Sequence, residues 1–203
     1  MDYNQTVETN LSLNGEKLIQ GFEGFCLSFY ADTVGYPTVG YGHLITRRRT
    51  FRRNTTGDPN DSKLTKAEAA ALVKDFKLSY SSPISIDKAE SLFLKDVKTA
   101  VVAVNAYNKI PSGCVLSQYQ FDALVSIVYN GGPSVLDTHD MEAMLTNRKI
   151  YAWNLTSSEC DACSKLVSKA FSYDRTLKSR RNKEAEYFCQ TKPYTHKYKV
   201  YTL

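Results

Sequence analysis

Glu23 and Asp32 stand nine residues apart, and Thr38 follows six residues later. Fully extended, the two acids would be separated by roughly 30 Å. A chain that turns back between them places both on one wall of a cleft. Two carboxyl groups flanking a bond are the minimum equipment for glycoside hydrolysis: one protonates the leaving oxygen, and the other activates water or attacks carbon. A hydroxyl such as that of Thr38 can hold that water. The glycines around these residues, Gly21, Gly24, Gly35, Gly40 and Gly42, let backbone approach a bulky substrate. The competing reading makes Asp32 an ordinary turn residue and Glu23 a solvated charge at a helix end.

The elements that must position these groups follow from pattern. Leu11, Leu18, Ile19 and Phe22 predict a short helix that ends near Gly24. Leu27–Tyr30 and Thr38–Tyr41 read as short strands, with residues 32–37 as the turn of a small hairpin. Thr65 and Glu68 have the spacing of a capping box and open a helix through Ala69, Leu72, Val73 and Phe76. Ser85 caps the strongest periodic segment, in which Ala89, Leu92, Phe93, Val97, Ala100, Val101, Val104 and Tyr107 recur at three- and four-residue steps. At 1.5 Å per residue that helix is roughly 33 Å long. Further helices are predicted over 118–129, 140–147 and 175–189, the first stopped by Gly131-Gly132-Pro133. Phe93, Val97 and Trp153 are expected to pack in the core, and His139 and His196 to face solvent.

Composition narrows the class. The 203 residues are 42% hydrophobic and 23% charged, which excludes wholesale disorder and a fibrous chain. No apolar run approaches the roughly 20 residues of a transmembrane helix, so no stable membrane insertion is expected. The net charge of +5 favours an anionic surface without choosing one. Residues 1–14 lack the basic and apolar pattern of a Sec signal peptide, so the expectation is release by a non-classical route or a removed leader. Five cysteines, Cys26, Cys114, Cys160, Cys163 and Cys189, predict at least one disulfide in an oxidising place of action. Cys160 and Cys163 have C-x-x-C spacing but no second such pair, a weak signal for zinc or redox chemistry.

Glu23-Gly24, followed by the run from Phe29 through Asp32 and Thr38 to His43, resembles the phage-type lysozymes, glycoside hydrolase family 24. The resemblance continues over residues 84–97, and more faintly over 121–132 and at Arg180, Arg181 and Glu184. It implies an α+β, mostly α fold of two lobes within one lysozyme-like domain, 1–203. The N-terminal hairpin lobe would cover about 12–84, with an interlobe helix at about 85–107 and a helical C-terminal lobe over about 108–192. It implies a muramidase that hydrolyses the β-1,4 bond between N-acetylmuramic acid and N-acetylglucosamine in bacterial peptidoglycan. Glu23 resembles the general acid, Asp32 the second carboxylate and Thr38 the residue that positions water. Inversion at carbon implies a carboxyl separation of about 6.5–9.5 Å, and the acid's role requires Glu23 to be partly buried. Tyr30 and Gly42 fall in the same motif as supporting residues. Arg180 or Arg181 resembles the arginine that reaches toward the catalytic glutamate, and the alignment slips by one there. His43 resembles a histidine paired with an aspartate of the long helix, here Asp96, as a structural pair.

No metal, no cofactor, no nucleic-acid partner and a monomer are expected. The chain acts in the periplasm or outside the cell, either as a phage endolysin or as an antibacterial toxin whose producer needs an immunity protein. One departure from the family pattern is an insertion over about 46–83, opening with Arg47, Arg48, Arg49, Arg52 and Arg53. It reads as a grip on anionic wall polymer, a solvated loop, or a protein contact. The alternatives outside catalysis are a wall-binding domain without turnover and a basic nucleic-acid-binding module built on the arginine run, with Phe51 interleaved.

Overall fold

A computed structural model describes residues 9–152, 155–172 and 174–190; Trp153 and His196 lie outside them. The chain is mostly helical with one three-stranded antiparallel sheet. It divides into two compact units. Residues 19–98 form one, and the described residues up to Leu18 together with those from Thr99 onward form the other.

In the hairpin unit the strands are β1 (Cys26–Ala31), β2 (Pro37–Gly40) and β3 (His43–Leu44), in that spatial order. The third strand is too short to carry an alternating pattern, which is why its residues give no strand signal. Tyr30 pairs with Thr38 and Ala31 with Pro37, with an irregularity between Cys26 and Tyr30. Helix α1 (Leu13–Gln20) begins in the other unit, and its last two residues lead into the hairpin. Helix α2 (Lys66–Phe76) starts at the expected capping box: Thr65 N–H donates to Glu68 Oε2 at 2.8 Å, and Glu68 N–H donates back to Thr65 Oγ1 at 3.3 Å. Helix α3 (Ile86–Asn105) is capped by Ser85, whose hydroxyl accepts from Lys88 N–H at 3.1 Å. The unit boundary falls within this helix. Phe29, Val39, Leu72, Ile84, Ala89 and Leu92 make the core, so both hairpin strands and α2 share one apolar interior with the start of α3.

The other unit is built on α4 (Gln118–Gly131), whose residues 120–128 are all buried, the mark of a helix surrounded by others. Helix α7 (Lys178–Phe188) packs on it, α6 (Ser157–Phe171) packs on α7, and α5 (His139–Leu145) packs on α6. The sequence patterns do not announce α6. Its buried face is Cys160, Cys163, Ser164, Val167, Ser168, Ala170 and Phe171, and the buried serines dilute the apolar signal. At α4, Asp122 accepts from Ser12 N–H (3.1 Å), the Ser12 hydroxyl and Gln118 Nε2 (2.8 Å), which fastens the N-terminal segment.

The expected disulfide is overturned. All five cysteines are free, four of them buried and Cys114 partly so. In place of bridges they fill core volume as small apolar groups, and burial pushes the thiols of Cys163 and Cys189 up, the latter to about 12.

Candidate active site

The hairpin explains how Asp32 is held. Its backbone N–H donates to Tyr36 O at 2.9 Å, and its Oδ1 accepts the N–H groups of Val34, Gly35 and Tyr36 at 2.8, 2.7 and 2.8 Å. One carboxylate oxygen thus closes the turn, and among the described residues the other, Oδ2, accepts nothing. Gly35 has φ +102°, and a β-carbon there would lie 2.7 Å from Phe51 O, so the turn requires glycine.

Side chains paired across antiparallel strands share a face. Tyr30 opposite Thr38 puts the phenol and the hydroxyl together, and Asp32, two residues beyond Tyr30, continues that face past the strand end. Thr38 is buried, and its hydroxyl donates to Tyr36 O at 3.1 Å, leaving its lone pairs to accept from a ligand. Glu23 follows α1 in a turn held by Phe22 N–H on Ile19 O and Glu23 N–H on Gln20 O. Its side chain is half-buried. Gly42, at φ +90° in the β2–β3 turn, leaves open the space in front of it: a β-carbon there would sit 3.7 Å from Glu23 Oε2.

Tyr30 links the two acids. Its phenol is held well above the ordinary tyrosine value, first by burial and then by the negative potential of Cys26, Glu23 and Asp32. A single buried hydroxyl, kept neutral, therefore feels both carboxyl groups.

His43 Nδ1 lies 2.7 Å from Asp96 Oδ2 on α3, with both side chains mostly covered. Arg180 and Arg181 belong to the other unit, both on α7 and both buried. Arg180 Nε donates to Glu184 Oε1 at 3.0 Å; Arg181 donates to Glu184 Oε2 and to Asn130 Oδ1. Ser126 Oγ adds a 2.6 Å bond to the same glutamate.

Residues 51–64 hold the hairpin in a way the sequence patterns did not reveal. Phe51 N–H donates to Gly35 O (2.8 Å), Asn54 N–H to Asp32 O (3.0 Å), and Leu64 N–H to Phe29 O (2.8 Å). The Ser62 hydroxyl donates to Ala31 O at 2.7 Å. The available signal was the Asn, Gly, Asp and Pro punctuation of residues 54–62, which marks a structured turn as readily as a solvated loop. Among the described residues no cluster of three or more metal-ligating groups forms, and no helix is long and apolar enough to cross a membrane.

The fold is lysozyme-like, and comparison with known proteins agrees. The family model for phage lysozyme matches residues 20–184, so the chain belongs to the phage lysozyme family and with it to the peptidoglycan-degrading glycoside hydrolases. It is 29% identical over 138 residues to a probable T4-type lysozyme 2 of Dictyostelium discoideum, covering 64% of this chain and 72% of that protein. It is 26% identical to the endolysin of Salmonella phage P22, covering 61% of this chain and 64% of the endolysin, just under two thirds. Among solved structures, the endolysin from Escherichia coli O157:H7 phage FAHEc1 superposes with a TM-score of 0.55 at 27% identity, covering 90% of this chain and 94% of that one.

Proposed function

We propose that Glu23, Asp32 and Thr38 carry the muramidase reaction on the bond between N-acetylmuramic acid and N-acetylglucosamine. The observation that supports this assignment is the hairpin geometry: three N–H groups fix Asp32 by one oxygen, Thr38 pairs opposite Tyr30, and Gly42 leaves open the space before Glu23 Oε2. Glu23 gives its proton to the glycosidic oxygen as the carbon–oxygen bond breaks. A water accepted by the Thr38 lone pairs attacks the anomeric carbon from the opposite face and passes its proton to Asp32 Oδ2. The carboxylate that receives the proton is already fixed by three N–H groups on its other oxygen, so little reorganisation accompanies the step. Attack by water opposite the leaving group inverts the carbon. The His43–Asp96 pair steadies the hairpin.

The substrate lies in the periplasm or outside the cell, and the enzyme acts there as an endolysin or as a delivered toxin. Lysis on periplasmic expression that a neighbouring gene product relieves identifies the toxin and its immunity protein. For the chemistry, purified sacculi are digested and the new ends identified by mass spectrometry. The expected product is a muramic reducing end, lost in Glu23→Gln. Anhydro ends, or undiminished release by Glu23→Gln, overturn the assignment.

A further inference from the structure

Gly24 follows Glu23 directly, and its backbone lies outside the left-handed region, so its conformation does not demand glycine. Its surroundings do. A β-carbon there would lie 2.6 Å from Pro59 Cγ and 3.1 Å from Pro59 Cδ. The buried proline ring therefore rests on bare main chain at Gly24, whose α-carbon is about 3.8 Å from that of Glu23.

The stretch that carries Pro59 is itself tied to the segment of Asp32. Asn54 N–H donates to Asp32 O at 3.0 Å, and at the far end the Ser62 hydroxyl donates to Ala31 O at 2.7 Å. Between them the buried Asn54 side chain takes up the slack. Its Oδ1 accepts from Thr56 N–H (3.0 Å), the Thr56 hydroxyl (3.1 Å) and Gly57 N–H (2.9 Å), and its Nδ2 donates to Asp58 O at 2.8 Å. An asparagine that bonds backbone two residues on fixes a turn with no help from helix or strand. Pro59 then opens a short 3-10 turn, Pro59–Ser62, with its φ locked by the ring. Residues 54–62 thus touch the main chain of both acid-bearing segments, by hydrogen bonds at Ala31 and Asp32 and by the proline ring at Gly24.

We infer that this bridge sets the gap between Glu23 and Asp32, and that Asn54 and Pro59 are positioning residues for the reaction. The inference rests on reading those two acids as the acting carboxyl groups. An inverting hydrolase needs room for one water between its second carboxyl group and the anomeric carbon. A gap too wide or too narrow loses that water, and misplacing a reacting group by about 1 Å can cost about 10²-fold in rate. Glycine at position 24 lets the ring seat closely, and proline at position 59 lacks the freedom to yield.

Gly24→Ala keeps an allowed backbone and drives its β-carbon into Pro59. Its kcat on soluble peptidoglycan strands should fall about 10²-fold, with KM within about twofold of wild type. Pro59→Ala removes both clashing ring atoms, so Gly24→Ala/Pro59→Ala should recover at least about tenfold of the lost kcat. Asn54→Ala releases the turn and should also lose kcat, whereas Asn54→Asp, which keeps the acceptor for Thr56 and Gly57, should retain more. All variants are assayed well below their thermal midpoints, so that a smaller folded fraction does not enter. Gly24→Ala with the kcat of wild type, a loss that Pro59→Ala does not relieve, or losses carried by KM overturn the inference. If Glu23→Gln and Asp32→Asn both turn over like wild type, the reading of the acids fails and the inference with it. Thermal midpoints of the Gly24 and Pro59 variants, non-additive where the two residues touch, then still report the contact itself.

Discussion

Asp32→Asn and Asp32→Ala separate two jobs done by one side chain. Oδ1 accepts three backbone N–H groups, and Oδ2 is the proposed proton acceptor. Asparagine can turn its carbonyl oxygen to the same three donors and put its amide where Oδ2 stood. The turn is then kept and the base is lost. Hydrogen bonds to a charged acceptor contribute about 1.5–3 kcal/mol, against about 0.5–1.5 for a neutral one. Asp32 is partly solvated, so the difference per bond falls at the low end, and Asp32→Asn should cost about 1–2 kcal/mol in total. Alanine strands the N–H groups of Val34 and Tyr36, while Gly35 N–H keeps its 3.0 Å bond to the carbonyl of residue 32. Val34 is exposed and its N–H recovers water, but Gly35 is buried and Tyr36 half-buried. Tyr36 N–H, left without a partner, costs about 1–3 kcal/mol, and Gly35 N–H, which loses one of two acceptors, about 0.5–1.5, for a total of about 1.5–4.5 kcal/mol. Both variants should lose about 10²- to 10⁴-fold in turnover, the usual contribution of a positioned base. Urea midpoints measure the first effect and reducing-end release from sacculi the second. If Asp32→Ala is as stable as Asp32→Asn, the turn-closing role is refuted. If Asp32→Asn retains turnover near that of wild type, the base role is refuted.

Glu184→Ala should destabilise by about 3–5 kcal/mol, because it leaves two buried guanidinium groups without their carboxylate; a thermal shift below a few degrees would contradict this. Acid should unfold the chain partly through its helix caps. Thr65 holds the Glu68 carboxyl below the usual range, and Thr156 with Lys149 lowers Glu159 to about 2. Depressed carboxyl groups stabilise above their unfolded values and lose that contribution as pH falls from about 4.5 toward about 2. Urea midpoints of Glu68→Gln with Glu159→Gln should therefore vary less over that window than those of wild type. Titration with a thiol reagent should give one fast equivalent, from Cys114, and four that appear only on unfolding; rapid modification of a second thiol would show that the core packing is wrong.

The sequence was most legible where local rules act alone. The Thr65–Glu68 capping box and the Ser85 cap need only a few consecutive residues, and both form as their spacing requires. The hairpin was legible because the turn needs Gly35 and the oxygens of Asp32, which are chain-local demands. Phe93 and Val97 are buried and His139 is exposed, as periodicity and polarity require. Helix α6 was hidden because its inward face uses cysteine and serine, whose burial depends on neighbours far along the chain. The same dependence made the cysteines misleading: their number invited a bridge, while packing made them filler. The insertion's hold on the hairpin was invisible for another reason. Main-chain hydrogen bonds between residues 29–35 and 51–64 leave no trace in side-chain type.

That anonymity has an evolutionary consequence. A collar fastened largely by amides that every amino acid except proline possesses can exchange its outward side chains without loosening the turn at Asp32. Loops grafted or randomised at exposed positions between Phe51 and Leu64 can therefore drift toward the wall chemistry of new hosts, while the bend at Asp32 beneath them stays as it is.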